Sequence, residues 1–318
     1  MNKALETQKQ DKAYDCWLAY RPLAEPDIGQ YRSVCARVVV MGQSPVMDAA
    51  VDELKRGLKG ILGIEPQIFP SASGAWALFM GPEQGHITLP EEDLEALTDD
   101  GFIIRSGQDG ILIAGRKDRG VLYGAFAFLR LMQTGMSIDS LDRTENPAAG
   151  IRMVNHWDNM DGSIERGYAG RSIFFRDNGF IPDKGRVKDY ARLLASVGIN
   201  GVSINNVNVH KHETRLITKE FLPEVAALAD IFRSYGIRLY LSINYSSPIE
   251  LGGLDTADPL DEAVQDWWRQ KAAEIYSYVP DLGGFLVKAD SEFRPGPFTY
   301  GRNHAEGANM LAKALEPF

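Results

Sequence analysis

The feature that most limits the folds open to this chain lies in its second half. From about residue 150, short apolar runs alternate with amphipathic stretches. Ile151 to Trp157, Ile199 to Asn206, Arg238 to Asn244 and Gly284 to Asp290 read as strands. Val187 to Ser196, Phe221 to Tyr235, Glu262 to Tyr278 and Ala305 to Leu315 read as the helices between and after them. Phe221, Val225, Leu228 and Phe232 fall on one face of the second helix. Such a beat predicts parallel βαβ units. An open doubly wound sheet and a (β/α)8 barrel both fit. No GxGxxG or Walker loop follows any of the strands, which weighs against a nucleotide fold. The strands end instead in polar and aromatic residues, as barrel strands do where they carry a site. The α/β class is therefore expected, with residues 144–318 forming the first four βα units of a (β/α)8 TIM barrel that lacks its second half.

Residues 1–143 read differently, as a small α+β domain. Arg37 to Met41 is a β-branched run, and Ser44-Pro45 opens a helix with Ser44 as its cap. Val51, Leu54, Leu58 and Ile61 make that helix's apolar stripe. Trp76 to Met80 reads as a strand. Gly101 to Ser106 and Gly110 to Gly115 read as two more around a turn at Gln108-Asp109-Gly110. Arg119 to Met132 reads as a helix. Thr144-Glu145-Asn146-Pro147 looks like a linker.

Composition excludes several classes. The net charge is −9, so no basic field awaits a phosphate backbone and nucleic acid is not an expected partner. Cys16 and Cys35 cannot make a disulfide framework; two idle thiols are the plainer reading, and one bridge between them stays open. No run has the length of a membrane span, and the polar first residues lack a signal-peptide core, so a cytoplasmic protein is expected.

Three stretches could carry chemistry. In Lys288-Ala289-Asp290-Ser291-Glu292, strand alternation would send Lys288, Asp290 and Glu292 to one side. A lysine among carboxylates suits an anionic substrate, and a neighbouring acid could donate a proton, the division of labour glycoside hydrolysis uses. A rim salt bridge would use the same residues. In Asn155 to Asn159, Trp157 offers a flat face to a sugar ring, with Asp158 and Asn159 beside it for hydroxyls; a core tryptophan with an Asx turn fits equally. The glycine-punctuated loop Gly162 to Gly170 has the length of a lid. In Asn205-Asn206-Val207-Asn208-Val209-His210, the amides could read hydroxyls or cap turns. His210 and His212 could chelate a metal, but no third ligand stands at a suitable spacing. Trp267-Trp268 reads as helix packing.

These residues resemble the family 67 α-glucuronidases. The resemblance is carried by Asn155 to Gly170 (NHWDNMDGSIERGYAG), by VGINGVSINNVNVH ending at His210, by GGFLVKADSE ending at Glu292, and by PGPFTYGR and HAEGANMLA beyond it. The N-terminal domain resembles the small domain that precedes the barrel in this family and in β-hexosaminidases. The resemblance implies removal of glucuronic acid, or its 4-O-methyl ether, α-1,2-linked to the xylose of xylan-derived oligosaccharides. It implies inversion without metal or cofactor. It places the general acid on Glu292, a uronate-binding lysine on Lys288 and a pocket wall on Trp157. Asn206 and Arg302 are further pocket candidates, and Asp158 is the one carboxylate here that could face Glu292. An inverting pair stands about 6.5–9.5 Å apart. The family's general base falls beyond residue 318, so the chain reads as an N-terminal portion with little activity of its own. A noncatalytic carbohydrate-binding fragment is the alternative. A homodimer is implied only for a full-length form.

Overall fold

A computed structural model describes residues 18–24, 28–71, 75–82, 87–209, 212–291 and 293–318. The described chain forms two compact units. One runs to Gly150 and takes in Arg192–Gly198; the other holds Ile151–Ala191 and Ile199–Phe318.

The first unit comprises α1 (Ile28–Cys35), β1 (Arg37–Met41), α2 (Pro45–Leu62), β2 (Gln67–Ser71), β3 (Trp76–Met80), α3 (Glu91–Glu95), β4 (Phe102–Gly107), β5 (Gly110–Gly115), α4 (Asp118–Gln133) and β6 (Asp142–Glu145). Its sheet has the order β2-β1-β3-β5-β4-β6. Only the β1–β2 pair is parallel. Helix α2 starts where the sequence places it. Ser44 is extended, and its hydroxyl accepts from Met47 N at 3.1 Å and donates to Asp118 at 2.6 Å. Gly63, at φ 69°, closes the helix in the left-handed region. Leu54, Leu58 and Ile61 of α2 and Val121, Ala125 and Phe128 of α4 are fully buried. The two helices meet closely at Gly57, where a Cβ would lie 2.4 Å from Leu129. The other face of the sheet, Ala77, Phe79, Leu112 and Ala114 with Val39 and Met41 of β1 beside them, packs against Ile87, Leu89 and Leu94.

Four elements of this unit escape the sequence pattern: α1, β2, α3 and β6. Thr144 and Glu145, which read as linker, pair with Ile103 and Phe102 in β6. An edge strand exposed on both sides needs no apolar alternation, so Asp-Arg-Thr-Glu leaves no period to detect. Cys35 is buried, and burial pushes its thiol up to about 12; Cys16 lies outside the described residues.

The first unit also buries an ion pair. Arg192 Nε and Nη2 donate to the two carboxylate oxygens of Glu53 at 2.6 and 2.7 Å, and the Tyr20 hydroxyl donates to the same group. The Arg192 and Glu53 side chains are only 6% and 3% exposed. Burial and the Glu53 charge raise the Tyr20 hydroxyl well above its ordinary range.

The second unit comprises β7 (Met153–Asn155), the short hairpin β8 (Phe175–Arg176) and β9 (Gly179–Phe180), α5 (Gly185–Ser196, whose end from Arg192 groups with the first unit), β10 (Gly201–Ile204), α6 (Leu222–Arg233), β11 (Arg238–Ile243), α7 (Ser247–Glu250), α8 (Glu262–Tyr278), β12 (Gly284–Val287) and α9 (His304–Leu315). A four-stranded sheet, ordered β12-β11-β10-β7, is parallel throughout. This is the expected βα beat, with shorter strands. Val202, Ile204, Leu239, Leu241 and Ile243 are buried. On the alternate positions, Ser203 and Ser242 are also buried, and their hydroxyls stand 3.3 Å apart. Trp268 is fully buried and meets Trp267 edge-on at 4.9 Å, as core packing requires. No helix among the described residues is long and apolar enough to cross a membrane.

Removing one partner of a buried pair strands the other charge. Glu53→Ala should therefore lower unfolding free energy by about 3–5 kcal/mol, measured by urea denaturation. The double change Glu53→Leu with Arg192→Met should lose far less. Equal losses in the two proteins would contradict the account.

Candidate active site

Parallel strands deliver all their C-terminal ends to one side, and the candidate residues follow from where each strand stops. β7 stops at Asn155, although His156 N still donates to Ser203 O at 2.9 Å. Three alternating side chains follow. Trp157 is 36% exposed, while His156 and Asp158 turn the other way into the protein. Asp158 is 1% exposed; its Oδ2 lies 3.2 Å from His156 Nδ1 but has no aligned hydrogen-bond donor among the described residues. His156 Nε2 pairs with the Tyr190 hydroxyl at 2.8 Å, between the edges of Phe174 and Tyr190. Burial, with the Asp158 charge adding to it, pushes the Tyr190 hydroxyl up to about 12. Asp158 therefore sits behind the tryptophan rather than beside its exposed face.

The asparagines after β10 tie this corner together. Asn205 adopts φ 82°, which an asparagine tolerates better than most residues, and turns the chain across the strand ends. Asn206 is buried, and its amide bonds through both ends. Nδ2 donates to Asn159 Oδ1 at 2.8 Å and Trp157 O at 3.3 Å; Oδ1 accepts from Asn208 N at 2.9 Å. Asn159 in turn donates to Ser163 Oγ and Glu165 O, at 2.8 and 2.7 Å. The loop read as a lid is thus pinned at its base: Glu165 N donates to Trp157 O at 2.8 Å, and Asp158 bridges to Ile164.

β12 stops at Val287, so the alternation expected through residue 292 does not persist. Asp290 lies in the left-handed region at φ 51°. Its carboxylate accepts from Phe298 N at 3.2 Å and lies 2.9 Å from His304 Nε2, so it faces the start of α9. Lys288 goes elsewhere. Its Nζ donates to Asn208 Oδ1 at 2.6 Å and stands 5.8 Å from the centre of the Trp157 ring. Glu292 lies outside the described residues, as do His210 and Lys211.

The structure thus brings Trp157, Asn206 and Lys288 into one connected cluster. Arg302 makes its bonds to Asp258, with Nε 3.0 Å from Oδ1 and Nη2 2.9 Å from Oδ2. That fork holds the Asp258 carboxyl below the usual carboxylate range. Among the described residues no group of three or more His, Cys, Asp or Glu is arranged to hold a metal.

The sequence pattern underrates three residues. Asn208 stands out only as part of a run. Glu213, 6% exposed, accepts from Met160 N at 2.8 Å. Glu250 accepts from Asn244 Nδ2 at 2.7 Å and from the Thr214 hydroxyl at 3.3 Å. All three act through long-range hydrogen bonds, which leave no periodic trace. A concavity of about 1030 Å³ lies around Arg215, Glu250, Lys271 and Arg294. These three cations pair with carboxylates of the same wall, Glu220, Glu250 and Glu274.

Because Arg302 depresses Asp258, its contribution to stability is present above the unfolded carboxylate value of about 3.9 and fades as pH falls through the lower folded value. Arg302→Ala should therefore lower the melting midpoint at about pH 7, and the gap from wild type should narrow as the pH is taken below about 3.9. A gap that is constant across that range would exclude the linkage.

Comparison with known proteins bears on the chain's family. The model of the glycosyl hydrolase family 67 N-terminus matches residues 16–128, and that of the family 67 middle domain matches residues 131–318. A probable α-glucuronidase A of Aspergillus terreus is 42% identical over 308 residues, covering 95% of this chain and 36% of the relative. The α-glucuronidase A of Emericella nidulans is 41% identical over 319 residues, with the same coverage. The chain spans about a third of the length of these relatives. Among solved structures, a family GH115 4-O-methyl-α-glucuronidase with specificity for decorated arabinogalactans aligns with a TM-score of 0.53 at 15% identity, over 88% of this chain and 40% of that one. That likeness extends to the mixed α/β fold alone. Since the two family models match in order and together span nearly all of the sequence, the chain belongs to glycosyl hydrolase family 67.

Proposed function

We propose that this chain is the N-terminal portion of an α-glucuronidase that hydrolyses the α-1,2 link between (4-O-methyl-)glucuronic acid and xylose in xylan-derived oligosaccharides, with inversion. The observation that carries the proposal is the Lys288 ammonium poised 5.8 Å from the Trp157 ring. A sugar laid on an indole face presents a carboxylate at its rim, and a cation beside that face meets it. Glu292, four residues after Lys288, would protonate the leaving oxygen. Asn206 holds the Trp157 backbone. Asp158 and Arg302 would act from behind, through His156 and Asp258, rather than by touching the sugar.

The four parallel strands would be the first half of a (β/α)8 barrel. Two features support this. β12 pairs only with β11 among the described residues, leaving one side of the strand open. Beside it, a cavity of about 620 Å³ between β12 and α9 is lined by Phe285, Val287, Ala308 and Leu311. The remaining strands, with the carboxylate that activates water, would come from the two thirds of the relatives' length that this chain does not span.

The 318-residue chain should therefore self-associate through its open edge and turn over aldouronic acids at a small fraction of full-length rates, checked by light scattering and by release of glucuronic acid. Full-length rates from this chain would refute the half-barrel reading. In a protein that also carries the remaining strands, Glu292→Gln should abolish cleavage of natural substrate and spare binding. Retained turnover would remove Glu292 from the acid role. Binding without turnover in both proteins would favour a carbohydrate-binding role instead.

A further inference from the structure

We propose that Asn208 positions the Lys288 ammonium and thereby sets a preference for an acidic sugar over its neutral counterpart. The proposal rests on the reading of Lys288 given above. Asn208 follows β10, whereas Lys288 follows β12, two strands away in the sheet. The amide therefore reaches past the end of β11 to meet the lysine.

Its own position is fixed on both sides. The backbone N–H of Asn208 donates to Asn206 Oδ1 at 2.9 Å, and its carbonyl accepts from Arg294 Nε at 3.1 Å. The residue is 6% exposed. A lysine side chain is long and flexible, and a fixed acceptor 2.6 Å from Nζ selects one place for the charge. The chemistry of that acceptor matters as much as its place. An amide oxygen holds an ammonium without cancelling its charge, whereas a carboxylate of the same shape would form an ion pair and compete with a substrate anion. Asn206, two residues earlier, holds the backbone of Trp157. One short turn thus fixes both the ring and the cation.

The test uses the 318-residue chain and two ligands: a xylo-oligosaccharide bearing α-1,2-linked glucuronic acid, and the same compound with its carboxylate reduced to an alcohol. Calorimetry should show that wild type prefers the acidic ligand. Asn208→Asp keeps the side chain's size and should weaken the acidic ligand about tenfold or more, leaving the neutral one within about twofold. Asn208→Ala should give a smaller loss, again confined to the acidic ligand. Equal losses on both ligands, or none on either, would overturn the proposal.

A wild type that does not discriminate would sink the Lys288 reading itself, and a second measurement then decides the role of Asn208 alone. Lysines are labelled by reductive ¹³C-dimethylation and the Lys288 signal is assigned by its absence in Lys288→Arg. Asn208→Ala and Asn208→Asp should each shift that signal, because each replaces the amide oxygen that stands 2.6 Å from Nζ. A Lys288 signal unchanged in both variants would overturn the positioning role whatever the ligands do.

Discussion

The second unit depends on a buried side-chain amide that bonds through both its ends at the point where parallel strands run out. Parallel pairing brings the C-terminal ends of β7, β10, β11 and β12 to one side, and the chain must leave each of them through irregular backbone. Buried irregular backbone carries polar groups that must find partners. Asn206 supplies them: it meets the carbonyl of Trp157, the side chain of Asn159 and the backbone N–H of Asn208. Glu213 and Asn244 do similar work nearby, holding Met160 N and Ser246 N. The exposed indole and the ammonium are the outward ends of this network. Their spacing follows from buried amides rather than from contact with each other, since a separation of 5.8 Å gives only a weak cation–π attraction.

The first unit solves a different problem. Its sheet has a helical face and a loop-covered face, and both are filled by ordinary apolar packing. The exception is the pair Glu53–Arg192, a charge pair where a hydrophobic pair would serve stability as well. Such a pair can select one docking of α2 against the segment that carries Arg192, because any other arrangement leaves a buried charge unmatched.

Much of the fold is legible in the sequence because period and caps are local. Ser44 and Pro45 mark the start of α2 whatever lies around them, and Val225, Leu228 and Phe232 mark the buried face of α6, with Phe221 as the residue that precedes its first turn. Besides the short helices α1 and α3, what escapes is edge or turn. β2 and β6 are exposed edges with no alternation to read. The strand expected through Asp290 stops at Val287, and Asp290, in the left-handed region, turns its carboxylate to α9 instead of to Lys288. A single backbone angle decides that, and no periodicity announces it.

The sequence by itself determined the alternation of strands and helices, the polar residues that crowd the strand ends, and kinship with a family. These are properties of order along the chain. Only the tertiary structure decided which polar residues face outward and which stand behind them. Trp157 and Asp158 are neighbours in sequence, yet one is half-exposed and the other buried against His156. Asn208 and Lys288 are eighty residues apart, yet bonded at 2.6 Å. The reason is physical: partnership between buried polar groups depends on where parallel strands bring their ends, and that is fixed by packing across the sheet rather than by spacing along it.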